Sequence, residues 1–329
     1  MYIFSEKELK ENVVLDDDVI TAIEEGFASL AKGNATVPPI MMIPIPDLQA
    51  EVDVKAAHIK GLDSLAVKIA SGFFQNDRLG LPTSSGLMIV LSAKTGFPEA
   101  ILLDNGYLTH VRTGAAGAVA AKYLAPEDTT DVGVIGTGTQ ARFQMRGLKK
   151  VRDFSVIHLY SLDSEEVIEK YIKEISEELK VKVLKAESVE EVVRMCSVVV
   201  TTTPSRKPYL KAEWLHPGLH ITAMGSDTEE KQELFPEVLK SADVLACDLK
   251  SQCFRLGELR SGLQAGIISP DYNIVELGEL IIGSRKGRTS DSQITVCDLT
   301  GVGVQDTEIA LQAVKKAKEK GAGTKIAFN

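Results

Sequence analysis

The sequence is poor in cysteine. Its four (Cys196, Cys247, Cys253 and Cys297) form no C-x2-C pair. That excludes a disulfide framework or a structural zinc site and makes a reducing cytosol the expected compartment. An excess of positive charge is also missing. Thirty-seven Lys and Arg face 46 Asp and Glu, a formal −9, whereas a chain built to grip nucleic acid or an anionic membrane carries the opposite balance. No apolar run approaches the ~18 residues that span a bilayer. The opening Met1-Tyr2-Ile3-Phe4-Ser5 lacks the basic-then-apolar order of a signal peptide. The five histidines (His58, His110, His158, His216, His220) show no ligand spacing, and H-E-x-x-H, G-x-S-x-G and a P-loop are all absent. A soluble, metal-free protein without nucleic-acid or membrane partners is expected. Internal repeats and low-complexity segments are lacking too.

What is present is ordinary globular material. Apolar residues make up 44% of 329 residues and charged ones 25%, enough for about two domains at roughly 150 residues each. Val19, Ile20, Ile23, Phe27 and Leu30 recur at helical spacing. After Pro46 the signals turn β-like: Glu51–Ala57 and Leu65–Ala70 flank a Lys60-Gly61-Leu62-Asp63 turn, and Gly86–Leu91 and Glu99–Leu103 flank Lys94 to Pro98. A small-residue helix follows over Leu108–Leu124, with Thr113 as a candidate N-cap for its Gly-Ala-Ala-Gly-Ala run. Beyond residue 131, strand candidates alternate with helical patterns: Val132–Ile135, Val156–Tyr160, Val198–Thr202, His220–Met224, Val244–Cys247 and Ile294–Cys297. That rhythm predicts βαβ units and a parallel sheet. Asp306–Lys320 closes the chain as an amphipathic helix.

The most informative stretch is Val132-Gly133-Val134-Ile135-Gly136-Thr137-Gly138-Thr139-Gln140-Ala141. A strand runs into G-x-G-x-x-A and then into a helix. The first glycine permits the tight turn and the second lets backbone approach a pyrophosphate, while Ala141 keeps helix and strand close. The fold class is therefore α/β: a Rossmann dinucleotide-binding unit beyond residue 129, preceded by an α+β unit with antiparallel pairing. The second strand of the nucleotide unit ends near Ser161 and Asp163, with no Arg or Lys beside them to take a 2′-phosphate. NAD is expected, with NADP left open.

Three cations sit in segments that read as buried. Lys68 shares a strand face with Ala66 and Ala70, Lys55 lies on the preceding strand, and Arg112 precedes the small-residue helix. Beside a dinucleotide fold they suit an anionic substrate, with Arg112 as a carboxylate clamp. Met224-Gly225-Ser226-Asp227 follows a parallel strand, where ligands gather.

Taken in order, Arg112-Thr113-Gly114-Ala115-Ala116-Gly117, the glycine motif, Thr201-Thr202-Thr203-Pro204, Gly225-Ser226-Asp227 with Lys231, and Ser290 to Thr295 resemble the ornithine cyclodeaminase/μ-crystallin family over nearly the whole chain. The resemblance implies a homodimer that acts on a small amino, imino or oxo acid, with a substrate-binding and dimerisation domain (1–128 and 306–329) around a Rossmann NAD(P)-binding domain (129–305). It implies that Lys68 and Arg112 hold the substrate carboxylate, that Lys68 or Asp227 is the catalytic acid/base, and that Lys55 adds a second cation. Cofactor contacts implied are Thr83, Arg112, Thr113, Gly136, Gly138, Thr139, Gln140, Ser161, Asp163, Thr202, Thr203, Met224, Gly225, Ser226, Lys231 and Thr300. Cyclodeaminases of the family carry a glutamate where this chain has Lys55, and its dehydrogenase-like members carry a base. The chain is most similar to the alanine dehydrogenase, iminosuccinate reductase and ectoine-utilisation members. The implied activity is NAD(P)-dependent reduction of a 2-imino acid, or reductive amination of a 2-oxo acid. The alternative is an ornithine cyclodeaminase with catalytic NAD; a third reading is a non-catalytic, crystallin-like binding protein.

Overall fold

The structure is a computed structural model that describes residues 1–327. Its chain divides into two compact units, one formed by Met1–Arg112 with the chain from Val302 on, the other by Thr113–Gly301.

The first unit is built on a mostly antiparallel sheet. Its strands are β1 (Tyr2–Ser5), β2 (Ala35–Thr36), β3 (Met41–Ile45), β4 (Ala50–Ile59), β5 (Ser64–Phe73), β6 (Ser84–Ser92) and β7 (Pro98–Leu103), with Thr324–Lys325 added beside β1. The β4–β5 turn places Gly61 at φ 98° and the β6–β7 turn places Gly96 at φ 75°, left-handed positions that glycine adopts without Cβ strain. One face is covered by the C-terminal helix Gly303–Glu319, which packs on β4 and β5. Contact is close because Gly303 has no side chain: a Cβ there would lie 2.3 Å from the Ala56 carbonyl. Thr307 finishes the join, its hydroxyl donating to Ala57 O at 2.8 Å and accepting from Ala66 N at 3.3 Å. Helix Asp17–Ala31, N-capped by Asp16, buries Val19, Ile23 and Phe27 and packs on the same C-terminal helix. Each such side chain contributes roughly 1.5–3 kcal/mol on burial.

One expectation is corrected here. The small-residue helix runs over Tyr107–Leu124, within one residue of the expected span, but Thr113 is not its N-cap. Asn105 and Gly106 both have positive φ (50° and 83°), and the Asp104 carboxylate accepts Leu108 N–H at 2.8 Å. Asp104 thus does the capping expected of Thr113, and Arg112 and Thr113 lie inside the helix.

The second unit is an eight-stranded parallel sheet. It comprises β8 (Asp131–Ile135), β9 (Val156–Tyr160), β10 (Lys182–Lys185), β11 (Val198–Thr201), β12 (His220–Ala223), β13 (Val244–Cys247), β14 (Ile274–Glu276) and β15 (Thr295–Asp298), in the order β10-β9-β8-β11-β12-β15-β13-β14. Along β11, Val198 and Val200 point into one core with Met145 and Tyr171, while Val199 points into the other with Val192 and Leu239. Helices on both faces explain why these strands read as unbroken apolar runs. The short strands β10 and β14, together with β1, β2, β3 and Thr324–Lys325 of the first unit, are additions to the sequence reading.

Candidate functional site

In the first unit, antiparallel register sets Lys55 directly opposite Lys68, and Lys68 opposite Met88. Like charges facing across a ladder are destabilising, and the Asp306 carboxylate, on which the charges of both lysines act, offsets them. Lys68 is 3% exposed and Arg112 4%. Lys68 Nζ and Arg112 Nε each approach Oδ1 of Asp306 to 3.1 Å. Arg112 also donates to Gln305 Oε1 at 3.4 Å. Among the described residues, Oδ2 of Asp306 finds no hydrogen-bond partner although it is buried.

The electrostatics follow from burial and charge count. Burial lowers Lys68 to about 7, the positive charges of Arg112 and Lys55 push the same way, and Asp306 opposes them. Burial alone would raise Asp306, but Lys68, Arg112 and Lys55 outweigh it and hold the carboxyl below its ordinary value. Asp104 rises to about 6 through burial, partly offset by its backbone hydrogen bonds and by Lys68. His110 falls to about 4 through burial and the charges of Arg112, Lys10 and Lys68, so it is neutral at pH 7. Three bases and one firmly ionised acid leave the cluster cationic, suited to a carboxylate with an adjacent proton to give or take.

The second unit supplies a different kind of site. Gly136 (φ 109°) turns the chain after β8 and packs on Thr202, whose backbone N–H and hydroxyl both donate to Ile135 O. Gly138 is the N-cap of helix Thr139–Val151 without any side-chain cap, and a Cβ built on it meets no described atom within 4 Å. An uncapped helix amino end facing open space fits a pyrophosphate. Arg142, just inside that helix, donates to Thr137 O and Gly138 O and pairs with Glu174, bracing the loop. At the end of β9 the Asp163 carboxylate accepts from Ser161 Oγ at 2.8 Å and from the Thr137 hydroxyl. The Asp163 carboxylate thus joins the end of β9 to the glycine-rich loop.

At the carboxyl ends of β11 and β12 lie Thr203, Met224, Gly225, Ser226 and Asp227. Ser226 is buried and donates to Lys231 O at 2.7 Å, and Lys231 Nζ pairs with Asp227 at 2.6 Å. Thr300, after β15, is fixed by Asp248, which accepts its N–H at 2.8 Å and that of Gly301 at 2.7 Å. A polar cleft of about 710 Å³ lies at the opposite end of the sheet, beside Ser197 and Gly218. Its two arginines are spent on backbone carbonyls, Arg152 on Ala121, Ala125 and Pro126 and Arg288 on Leu124, Leu219 and Gln293.

The match of residues 2–321 to a family model decides the lineage. The chain belongs to the ornithine cyclodeaminase/mu-crystallin family. A Sinorhizobium fredii protein described as an uncharacterized cyclodeaminase is 45% identical over 325 residues, 98% of either chain. The Thermococcus litoralis Δ1-pyrroline-2-carboxylate reductase, solved with NADH and L-proline, superposes with a TM-score of 0.94 at 29% identity, covering 99% of this chain and 100% of that one. An archaeal alanine dehydrogenase dimer with bound NAD superposes with a TM-score of 0.92 at 36% identity, covering 100% of this chain and 99% of that one.

Within this family member, the residues expected to act on substrate (Lys55, Lys68, Arg112) gather in the first unit. Gly136, Gly138, Thr139, Gln140, Ser161, Asp163, Thr202, Thr203, Met224 to Asp227, Lys231 and Thr300 belong to the second. Thr83 lies on the first unit, exposed just before β6, with its carbonyl accepting Phe73 N–H. Thr113 belongs to the second, its carbonyl accepting from Gln144 Nε2 at 2.8 Å. Sequence reasoning missed Asp306 and Gln305. They open the C-terminal helix within a buried polar run, Gln305-Asp306-Thr307-Glu308, that reads as a solvated, acid-rich helix start. Glu233 was missed as well.

Proposed function

We propose that the protein is an NAD-dependent enzyme that reduces a small 2-imino acid to an amino acid, reversibly, including imines formed from 2-oxo acids. The observation that carries the reading is the buried Lys68–Asp306–Arg112 cluster on a chain that also has an uncapped glycine-rich helix end. Arg112 and Lys68 hold the substrate carboxylate. Lys68, placed at about 7 by burial, gives a proton to the developing amine nitrogen, and Asp306 stays ionised to steady both cations. Gly136 to Gln140, Asp163, Thr202, Thr203, Met224 to Ser226, Lys231 and Thr300 are the residues that would hold NAD, with Asp163 on the ribose hydroxyls. When bound, the nicotinamide supplies the hydride. Asp227 is half exposed and ion-paired to Lys231, which supports a role in ordering the cofactor loop; the burial of Lys68 and its lowering to about 7 support Lys68 as the proton donor.

Lys55 supports a substrate with a second anionic group. A cation at this position also disfavours ornithine, whose distal ammonium it would repel. Self-association is supported by the edge strand β3, where Met41, Met42 and Ile43 are exposed alongside Phe74, Leu79 and Leu81 elsewhere on the first unit. Light scattering on the eluted protein is expected to give the mass of two chains, and a monomer would contradict it.

The test is NADH oxidation with pyruvate, oxaloacetate and glyoxylate plus ammonium or methylamine, and with pyrroline-2-carboxylate. Turnover of at least one is expected. Inactivity on all of them, with ornithine converted to proline and ammonia, would establish the cyclodeaminase reading.

A further inference from the structure

We infer that Glu233 is a positioning residue that sets the spacing between the carboxyl ends of β11 and β12. It is fully buried, and its carboxylate accepts from groups on β11, on the chain just after β11 and β12, and on the loop between them. Its Oε1 accepts Thr203 N, Thr203 Oγ1 and Tyr209 OH, each at 2.7 Å. Its Oε2 accepts Thr201 Oγ1 at 2.5 Å and Gly225 N at 2.8 Å. The parallel ladder between these strands closes with Met224 N on Thr201 O at 3.1 Å. Beyond that bond the backbone N–H groups of Thr203 and Gly225 turn to one carboxylate instead of to each other's strand.

Glu233 is itself anchored from behind. Its own N–H donates to Glu258 Oε1 at 2.7 Å and the next, Leu234 N–H, to Oε2 at 3.2 Å. Its carbonyl accepts Tyr209 N at 2.8 Å. Gly225 is the counterpart of the clamp. A Cβ there would lie 2.2 Å from Thr203 O and 2.5 Å from the Glu233 carboxyl carbon, so only glycine lets the two strand ends come this close.

Five donors on two oxygens need a carboxylate. In Glu233→Gln the amide NH2 must face a backbone N–H that cannot rotate away, that of Thr203 in one orientation and that of Gly225 in the other. One strand end is then released whichever orientation the amide takes. The effect on NADH binding rests on the proposed assignment of Thr202, Thr203 and Met224 to Ser226 to the cofactor.

The experiment compares wild type, Glu233→Gln and Thr201→Val as full chains, by amide hydrogen exchange without ligand and by fluorescence titration with NADH. In Glu233→Gln, exchange is expected to rise at least tenfold in peptides spanning 201–204 or 224–228 and to stay unchanged in those spanning 50–73. The NADH Kd is expected to rise at least tenfold, with the KM for the imino acid within twofold of wild type. Thr201→Val, which deletes one donor, should weaken NADH binding two- to fivefold and add little in the Glu233→Gln background. Should Glu233→Gln not fold, Thr201→Val carries the test. Unchanged exchange at both strand ends, or faster exchange spread evenly over the chain, overturns the inference. So does an unchanged NADH Kd in a variant whose strand ends have loosened, provided that NADH protects those peptides in the wild type. If NADH gives the wild type no protection there, the cofactor assignment of these loops is what fails.

Discussion

Lys68 Nζ and Arg112 Nε lie at the same distance, 3.1 Å, from the same oxygen of Asp306. One buried carboxylate oxygen therefore steadies two buried cations, and with Lys55 across the ladder the cluster keeps a net positive charge. Removing one partner of such a buried pair typically costs about 3–5 kcal/mol, because the remaining charge stays uncompensated. Asp306→Asn is expected to lower stability by an amount in that range, read from urea unfolding. It also removes the attraction that opposes burial at Lys68, so the pH at which reduction fades should move downward. A variant that keeps wild-type stability and pH profile would show that Asp306 supports neither cation.

Lys68 itself should be indispensable for turnover and dispensable for NADH binding. Loss of a positioned proton donor commonly costs ~10²–10⁴ in rate. Lys68→Met is expected to lose at least about a hundredfold in kcat/KM for the imino acid, on that scale, with NADH affinity unchanged by fluorescence titration. Full turnover in Lys68→Met would reassign the proton to another group.

Carboxylate binding should take up a proton. Burial and the neighbouring charges lower Lys68 to about 7 from 10.5, and an arriving carboxylate favours the charged amine and raises it again. Between these values binding is accompanied by uptake of on the order of one proton, so affinity weakens as pH climbs above about 7. Calorimetry of a substrate-like carboxylate at pH 8 in buffers of different ionisation enthalpy reads the uptake directly. The sign for stability follows from the same shift. The folded state binds fewer protons than the unfolded state between about 7 and 10.5, so stability from this group is full above the unfolded value and is lost as pH falls through about 7. Binding enthalpies identical in all buffers would contradict the assignment.

Lys55 should read the far end of the substrate. Lys55→Ala is expected to raise KM for an imine of a dicarboxylic 2-oxo acid at least about tenfold, roughly 1.4 kcal/mol, and to leave KM for the imine of pyruvate within about twofold. Equal losses on both would place Lys55 on the shared carboxylate.

Asp163 should choose the cofactor. Its carboxylate is fixed by Ser161 and Thr137 and repels a 2′-phosphate. Asp163→Ser is expected to raise the ratio of kcat/KM for NADPH over NADH at least about tenfold, a difference of ~1.4 kcal/mol. An unchanged ratio would leave the preference to residues elsewhere.

Much of this was legible in local sequence, because local spacing encodes it. The strand–turn–helix around Gly136 and Gly138 carries its own periodicity, and alternation on β5 put Lys68 on the face that the C-terminal helix buries. The cap of helix Tyr107–Leu124 was misread because Thr113 is a good capping residue type, while the turn that starts the helix is Asp104-Asn105-Gly106. Asp306 was not legible at all. It is 194 residues from Arg112, and an acid near a helix start reads as a dipole partner in water. Glu233 was hidden for the same reason, since its donors come from two strands and a loop that only the folded sheet brings together.

The central claim is net reduction of a C=N bond at the carbon next to the carboxylate. Mass spectrometry of the product formed from pyruvate or oxaloacetate, ammonium and NADH deuterated at the transferring position of C4 tests it most directly. The account predicts one deuterium at C2 of the amino acid and one NAD formed per product, both lost in Lys68→Met. Ornithine converted to proline and ammonia with no net change in NADH, and no deuterium entering any imino acid offered, would contradict it.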